Sequence, residues 1–200
     1  MEVTMKNFLK IGSILCLGAM LSAPAHALVG FGIKGGVNLN NASYSVGGTA
    51  VDNSFKSGMG FMGGLGIEAG MGPIGLLVDV LYAQRKYVFG SAFGSSADGY
   101  ITAPSIYIPV QAKFSLMPMF AFTAGGYYSL AIGKSKTYSA AGNELTSEDG
   151  DPDFGAVAGI SLNLAMLSIE ARYNLGLKNQ DTDPDSLKLN SIDLLIGYMF

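Results

Sequence analysis

The chain has 200 residues and a formal net charge of −3, with 14% charged side chains against 49% hydrophobic ones. That length suits one domain, and twelve Lys and Arg against fifteen Asp and Glu leave no basic footprint for a nucleic acid. Gly and Pro occupy 35 positions (28 plus 7), short of a low-complexity composition.

The amino terminus stands apart. Lys6 and Lys10 precede an apolar stretch, Ile11 to Leu21, which ends in Ser22-Ala23-Pro24-Ala25-His26-Ala27. A basic region, an apolar core and an A-x-A site are the three parts of a secretory signal. The core is too short for the roughly 20 residues of a membrane-crossing helix, so residues 1–27 are predicted to be a cleavable signal peptide, whether translation starts at Met1 or Met5. An N-terminal membrane anchor is the disfavoured alternative. Cleavage after Ala27 removes Cys16 and His26, the only Cys and His present. The remainder has 173 residues (200 − 27) and a formal charge of −4, from ten Lys and Arg (12 − 2) and fourteen Asp and Glu (15 − 1). It can form no disulfide and offers no imidazole.

From Leu28 onward a period-two alternation recurs about eight times, the signature of strands with one apolar face. The first predicted strand, 28–40, sets Val29, Phe31, Ile33, Val37 and Leu39 against Lys34, Asn38 and glycines. Further strands are expected over 57–69, 73–88, 100–115, 119–133, 154–164 and 167–177, and the last over 191–200. There Ile192, Leu194, Ile196, Tyr198 and Phe200 share a face opposite Ser191, Asp193 and Gly197. Connections alternate in length: those near 69–73, 116–118 and 165–166 are short, whereas 41–56, 90–99, 134–153 and 178–188 are long and polar. Short turns on one rim and long loops on the other describe an up-and-down barrel across an outer membrane. The predicted fold is all-β: residues 28–200 form an eight-stranded antiparallel transmembrane β-barrel.

Charge placement decides which face is outside. Lys34, Glu68, Asp79, Arg85, Lys113, Glu170, Arg172 and Asp193 all fall on the non-apolar face of their strands, four cations and four anions. A soluble barrel would carry many more charges on its exterior. A narrow membrane barrel would turn this balanced set inward, where charges can pair and fill the lumen. Structural packing is the preferred role of these residues, with a hydrated ion path or a gate of switching salt bridges as the alternative.

Three stretches carry a resemblance. Glu170-Ala-Arg172-Tyr173-Asn-Leu-Gly176-Leu177, Gly32-Ile-Lys34-Gly-Gly-Val-Asn38 and Tyr107-Ile-Pro109-Val-Gln-Ala-Lys113 resemble strands of the small porin-like outer-membrane β-barrel family, of OmpA/OmpX-type and PorT-like barrels. The closing strand, with Tyr198 and terminal Phe200, resembles the C-terminal insertion signal of such proteins. The resemblance implies the outer membrane of a Gram-negative bacterium, contact with lipid and lipopolysaccharide, and the barrel-insertion machinery as a partner during biogenesis. It implies little about the task, because such barrels serve as anchors, adhesins, slow pores and enzymes.

Other motifs are weaker. Gly58-Met-Gly60-Phe-Met-Gly63 matches G-x-G-x-x-G, but the chain continues as a strand where a dinucleotide site needs a helix, and no cofactor is expected. Two acidic stretches, with Asp149, Asp151 and Asp153 and with Asp181, Asp183 and Asp185, are candidates for a hard cation. Neither has full EF-hand spacing, and solvated loops are the preferred reading. Without His or Cys the mature chain lacks the base that Ser-based hydrolysis requires, so no enzymatic activity is expected. The expected function is structural or surface-interacting, by a monomeric barrel with a largely plugged, charge-paired interior; passage of ions or very small solutes is the competing function.

Overall fold

The computed structural model describes residues 28–46, 49–50, 55–56, 58–89, 99–117, 119–138, 144–149, 151–178 and 186–200. The predicted signal peptide and Asp181, Asp183 and Asp185 lie outside them. Eight long strands dominate: β1 (Leu28–Val46), β2 (Gly58–Met71), β3 (Ile74–Phe89), β4 (Gly99–Met117), β5 (Phe120–Ala131), β6 (Asp153–Leu164), β7 (Leu167–Gly176) and β8 (Ser186–Met199). Each pairs antiparallel with its sequence neighbours, and β1 also pairs with β8 from Gly32↔Met199 to Ser45↔Ser186, closing the ring. Phe200 adds to this seam: its N–H donates to the Phe31 carbonyl at 2.8 Å.

The registers fix the shape. A path across paired residues runs Gly30, Glu68, Leu77, Gln111, Gly125, Val157, Asn174, Ser191 and back to β1 at Asn40. The return is displaced by ten residues (40 − 30). Eight strands with that stagger, about 4.8 Å apart and rising about 3.3 Å per residue, tilt by about 41° and enclose a backbone radius of about 8 Å. Such a lumen admits side chains from opposite walls into contact.

The alternation then sorts residues. Leu65, Ile74, Ile196 and Phe200 face outward with 60% or more of their surface exposed. Lys34, Asp79, Gln111, Arg172, Asn174 and Asp193 face inward and are buried. A soluble barrel would show the reverse. Two tight turns use backbone with positive φ, at Gly72 (62°) and Ala165 (54°); glycine adopts it without penalty, whereas alanine does so at a cost.

The strands run further than the apolar pattern predicts. β1 continues to Val46 and β8 starts at Ser186, within segments expected to be loops. Short strands also occur at Thr49–Ala50, Phe55–Lys56, Lys134–Tyr138 and Glu144–Asp149. The last two form a hairpin whose first strand extends the edge of β4, from Tyr100↔Tyr138 to Thr102↔Lys136. Above a membrane both faces of a sheet are wet, so pairing persists where the outward apolar face ends.

Candidate functional site

The inward face gathers charge along the barrel. At its centre are Lys34 of β1, Asp79 of β3, and Glu170 and Arg172 of β7. Lys34 Nζ lies 3.0 Å from Asp79 Oδ1 and 2.7 Å from Glu170 Oε1. Arg172 Nη2 donates to Asp79 Oδ2 at 2.5 Å and also contacts Glu170 Oε2. In a ring of eight, β3 and β7 stand on opposite walls, so the Arg172–Asp79 bond spans the full lumen. Three glycines leave the room. A Cβ on Gly66 would lie 2.5 Å from Asp79 Oδ1, one on Gly159 3.0 Å from Arg172 Cγ, and one on Gly197 3.1 Å from Lys34 Cγ.

Toward the short-turn rim, Lys113 of β4 donates to Glu68 Oε1 of β2 at 2.7 Å. Among the lumen pairs described this one is the wettest, with the Glu68 side chain 30% exposed. Toward the long-loop rim the chemistry becomes aromatic. The Arg85 guanidinium lies 5.3 Å from the Tyr107 ring centroid and 5.8 Å from that of Tyr127. Its Nη1 is 3.9 Å from Asp153 Oδ2, which accepts a 2.9 Å bond from the Tyr127 hydroxyl. Asp193 takes neutral partners: Asn174 Nδ2 at 2.6 Å and the Ser191 hydroxyl at 3.1 Å. The Tyr107 hydroxyl reaches across from β4 to Asn174 Oδ1 at 2.5 Å.

All eight residues placed on the inner face by alternation thus lie in the lumen, and seven of them are buried, Glu68 being partly exposed. One placement is corrected. Asp153 is not part of an acidic loop; it is the first residue of β6, turned inward and buried, and among the described residues it makes five anions against four cations in the lumen. Its neighbour Pro152 masks the strand start in sequence, because the alternation becomes visible only at Phe154. Asp151 remains exposed, 3.6 Å from Lys178. Among the described residues no three His, Cys, Asp or Glu side chains gather as a metal site. Charge does not mark the amide network: Asn40 Nδ2 donates to Asn38 Oδ1 at 2.5 Å, and Thr123 Oγ1 to Gln111 Oε1 at 3.0 Å. Period two places these amides inward; nothing in the sequence pairs them.

Outside the lumen, Tyr198 and Phe200 both face outward at the seam, their rings 6.0 Å apart.

This architecture has relatives among solved structures. Neisserial surface protein A is similar with a TM-score of 0.54 and 15% identity, covering 85% of this chain and 97% of its own. The attachment invasion locus protein Ail of Yersinia pestis, solved in complex with the heparin analogue sucrose octasulfate, has a TM-score of 0.50 and 19% identity, covering 86% of this chain and 99% of its own. No curated protein matches in sequence. The family model for the outer membrane protein beta-barrel domain matches residues 22–181. The chain therefore belongs to the outer membrane protein β-barrel family, as a closed eight-stranded barrel of a Gram-negative outer membrane.

Proposed function

We propose that the protein is a non-enzymatic structural or surface-interaction barrel whose interior is largely plugged by paired charge, with its long loops presented to the environment. The observation that carries this reading is the Arg172–Asp79 bond across the lumen, braced by Lys34 and Glu170. A passing ion would have to part these groups, and separating a buried pair leaves charge unpaired at several kcal/mol. The absence of His and Cys from residues 28–200 supports a role without chemistry. Its proposed surroundings are outer-membrane lipid and lipopolysaccharide, with the insertion machinery reading Tyr198 and Phe200, and the barrel acting as a monomer.

One observation favours a second reading, a small-solute or ion-conducting channel. Arg85 Nε and Nη2, Arg172 Nε and Nη1, Gln111 Nε2 and Asp153 Oδ1 are buried without a hydrogen-bond partner in the protein, and groups of this kind are met by water. Planar-bilayer recording separates the two. The plugged barrel gives no stable unit conductance, whereas a unit conductance altered by Arg172→Ala or Glu68→Ala overturns it.

A further inference from the structure

Residues 28–200 contain no Cys, His or Trp, and seven methionines. Thioether is therefore the only sulfur in the barrel, and its distribution is uneven. Four of the seven, Met71, Met117, Met119 and Met166, lie at the three short turns, and each exposes more than half of its surface. Met62 points into the lumen and is buried, and Met199 packs over the bare backbone of Gly30 and Gly32. Met59 is exposed on the outward wall, but twelve residues away along β2 (71 − 59), about 30 Å higher at the tilt derived above.

The turns themselves do not need methionine. Gly72 and Ala165 supply the positive φ, and backbone hydrogen bonds lace the rim together. The carbonyls of Pro73, Met119 and Met166 accept from the N–H groups of Ser115, Asn163 and Met199, each at 2.7 Å, whatever side chains the turns carry. One of the four is re-aimed by the sheet. A register shift between Ser115 and Met117 pairs Met117 with Phe120, next to inward Ala121, and so turns it off the lumen face that Lys113 occupies; bulges redirect side chains in this way. An exposed, unbranched thioether keeps its sulfur lone pairs open to an electrophile. Met166 is set apart from the other three, because the Tyr198 hydroxyl donates to its Sδ at 3.0 Å and engages one lone pair.

We infer that Met71, Met117, Met119 and Met166 form an oxidation site on the short-turn rim, which reacts with a hypohalous acid to give methionine sulfoxide. In the net step with hypochlorous acid, sulfur gives up two electrons, an S–O bond forms, the O–Cl bond breaks, and chloride and a proton leave. The modified side chain is polar where the thioether was apolar, and methionine sulfoxide reductases reverse the change. Oxidation therefore makes the rim polar while the ion-paired lumen stays as it is. The site stands apart from the proposed surface role, since the short turns of an outer-membrane barrel face the periplasm and its long loops the exterior.

The test treats the exported barrel, purified from outer membranes and returned to saturated phosphatidylcholine vesicles, with hypochlorous acid, and follows each sulfoxide by peptide mass spectrometry. Heat-shifted gel mobility first establishes that wild type and variant are folded barrels. Met71, Met117 and Met119 should oxidise at least about tenfold faster than Met62. Met166 should lag behind Met117 by about fivefold, the worth of one hydrogen bond, and Tyr198→Phe should remove that lag without changing the rate at Met117. The two sulfoxide reductases, one for each epimer, should together restore all four thioethers. Oxidation of Met62 at the rate of the rim residues, in a barrel that still heat-shifts, overturns the rim as a distinct site. A Met166 as fast as Met117 in the wild type, or unchanged in folded Tyr198→Phe, overturns the protection by Tyr198. Rim sulfoxides that the reductases leave in place overturn the reversible modification.

Discussion

Replacing Asp79 by Asn tests the central cluster directly. Asp79 faces Arg172 Nη2 at 2.5 Å and Lys34 Nζ at 3.0 Å, and its side chain is fully buried. At an effective dielectric of about 20, these separations correspond to about 6.6 and 5.5 kcal/mol of attraction, of which desolvation has already consumed most. Removing the charge leaves two cations facing Glu170 alone, and the expected loss is about 3–5 kcal/mol. Removing Lys34 as well, by Lys34→Met, returns the cluster to one cation and one anion. The double variant should recover about half or more of the penalty, because a neutral pair replaced together costs little. The chain has no Trp, so urea unfolding in detergent micelles is followed by far-ultraviolet circular dichroism and by the fraction of heat-shifting band. An Asp79→Asn barrel within about 1 kcal/mol of wild type, or additive effects in the double variant, would refute the cluster as a coupled unit.

Two further variants address the walls. Leu194→Arg places a cation on the outward face, where Leu194 is 47% exposed; insertion into vesicles should weaken by about 2–4 kcal/mol, and unchanged insertion would mean the outward face is misassigned. Gly66→Val puts a side chain where Asp79 Oδ1 and Lys34 Cε stand 2.5 and 2.9 Å from a Cβ. The expected cost is about 1–3 kcal/mol by overpacking, measured by the same urea midpoint, and it should shrink in the Asp79→Asn background because the obstructing carboxylate is then free to move.

Much of the fold was legible because membrane and lumen impose opposite demands on alternate residues. Lys34, Glu170 and Arg172 announce the inner face by being charged between Ile33, Ile169 and Tyr173, and eight such faces with alternating loop lengths leave one simple topology. Legibility fades where that contrast ends. In the extension of β1 the alternation changes parity, with Ala42, Tyr44 and Val46 replacing the odd-numbered apolar series that ends at Leu39, and the hairpin strand from Lys134 carries no apolar face, so hydrogen-bond pairing, which leaves no residue signature, defines both. Within the lumen, alternation says that Asp79 and Arg172 point inward but not that they meet. Their contact depends on the stagger of ten, which accumulates around the whole ring.

That stagger also explains why ions, which contribute little net stability when buried, occupy the lumen. In water, a one-residue slip of a strand is opposed by moving its apolar residues out of the core. In lipid this guard is weak, since Ile169, Ala171 and Tyr173 lose little by turning inward. The charges supply the missing opposition. If β7 slipped by one against β6 and β8, Glu170 and Arg172 would turn toward hydrocarbon, at about 2–4 kcal/mol for the arginine alone. Asp79 and Lys34 would be left facing each other without their second partners. A slip of two would keep the faces but draw Arg172 about 6.6 Å along the strand, out of reach of Asp79. The diametral bond therefore distinguishes even slips from the native register, and charge alternation excludes odd ones. On this argument the central cluster selects one closed ring among several that would satisfy the lipid equally well.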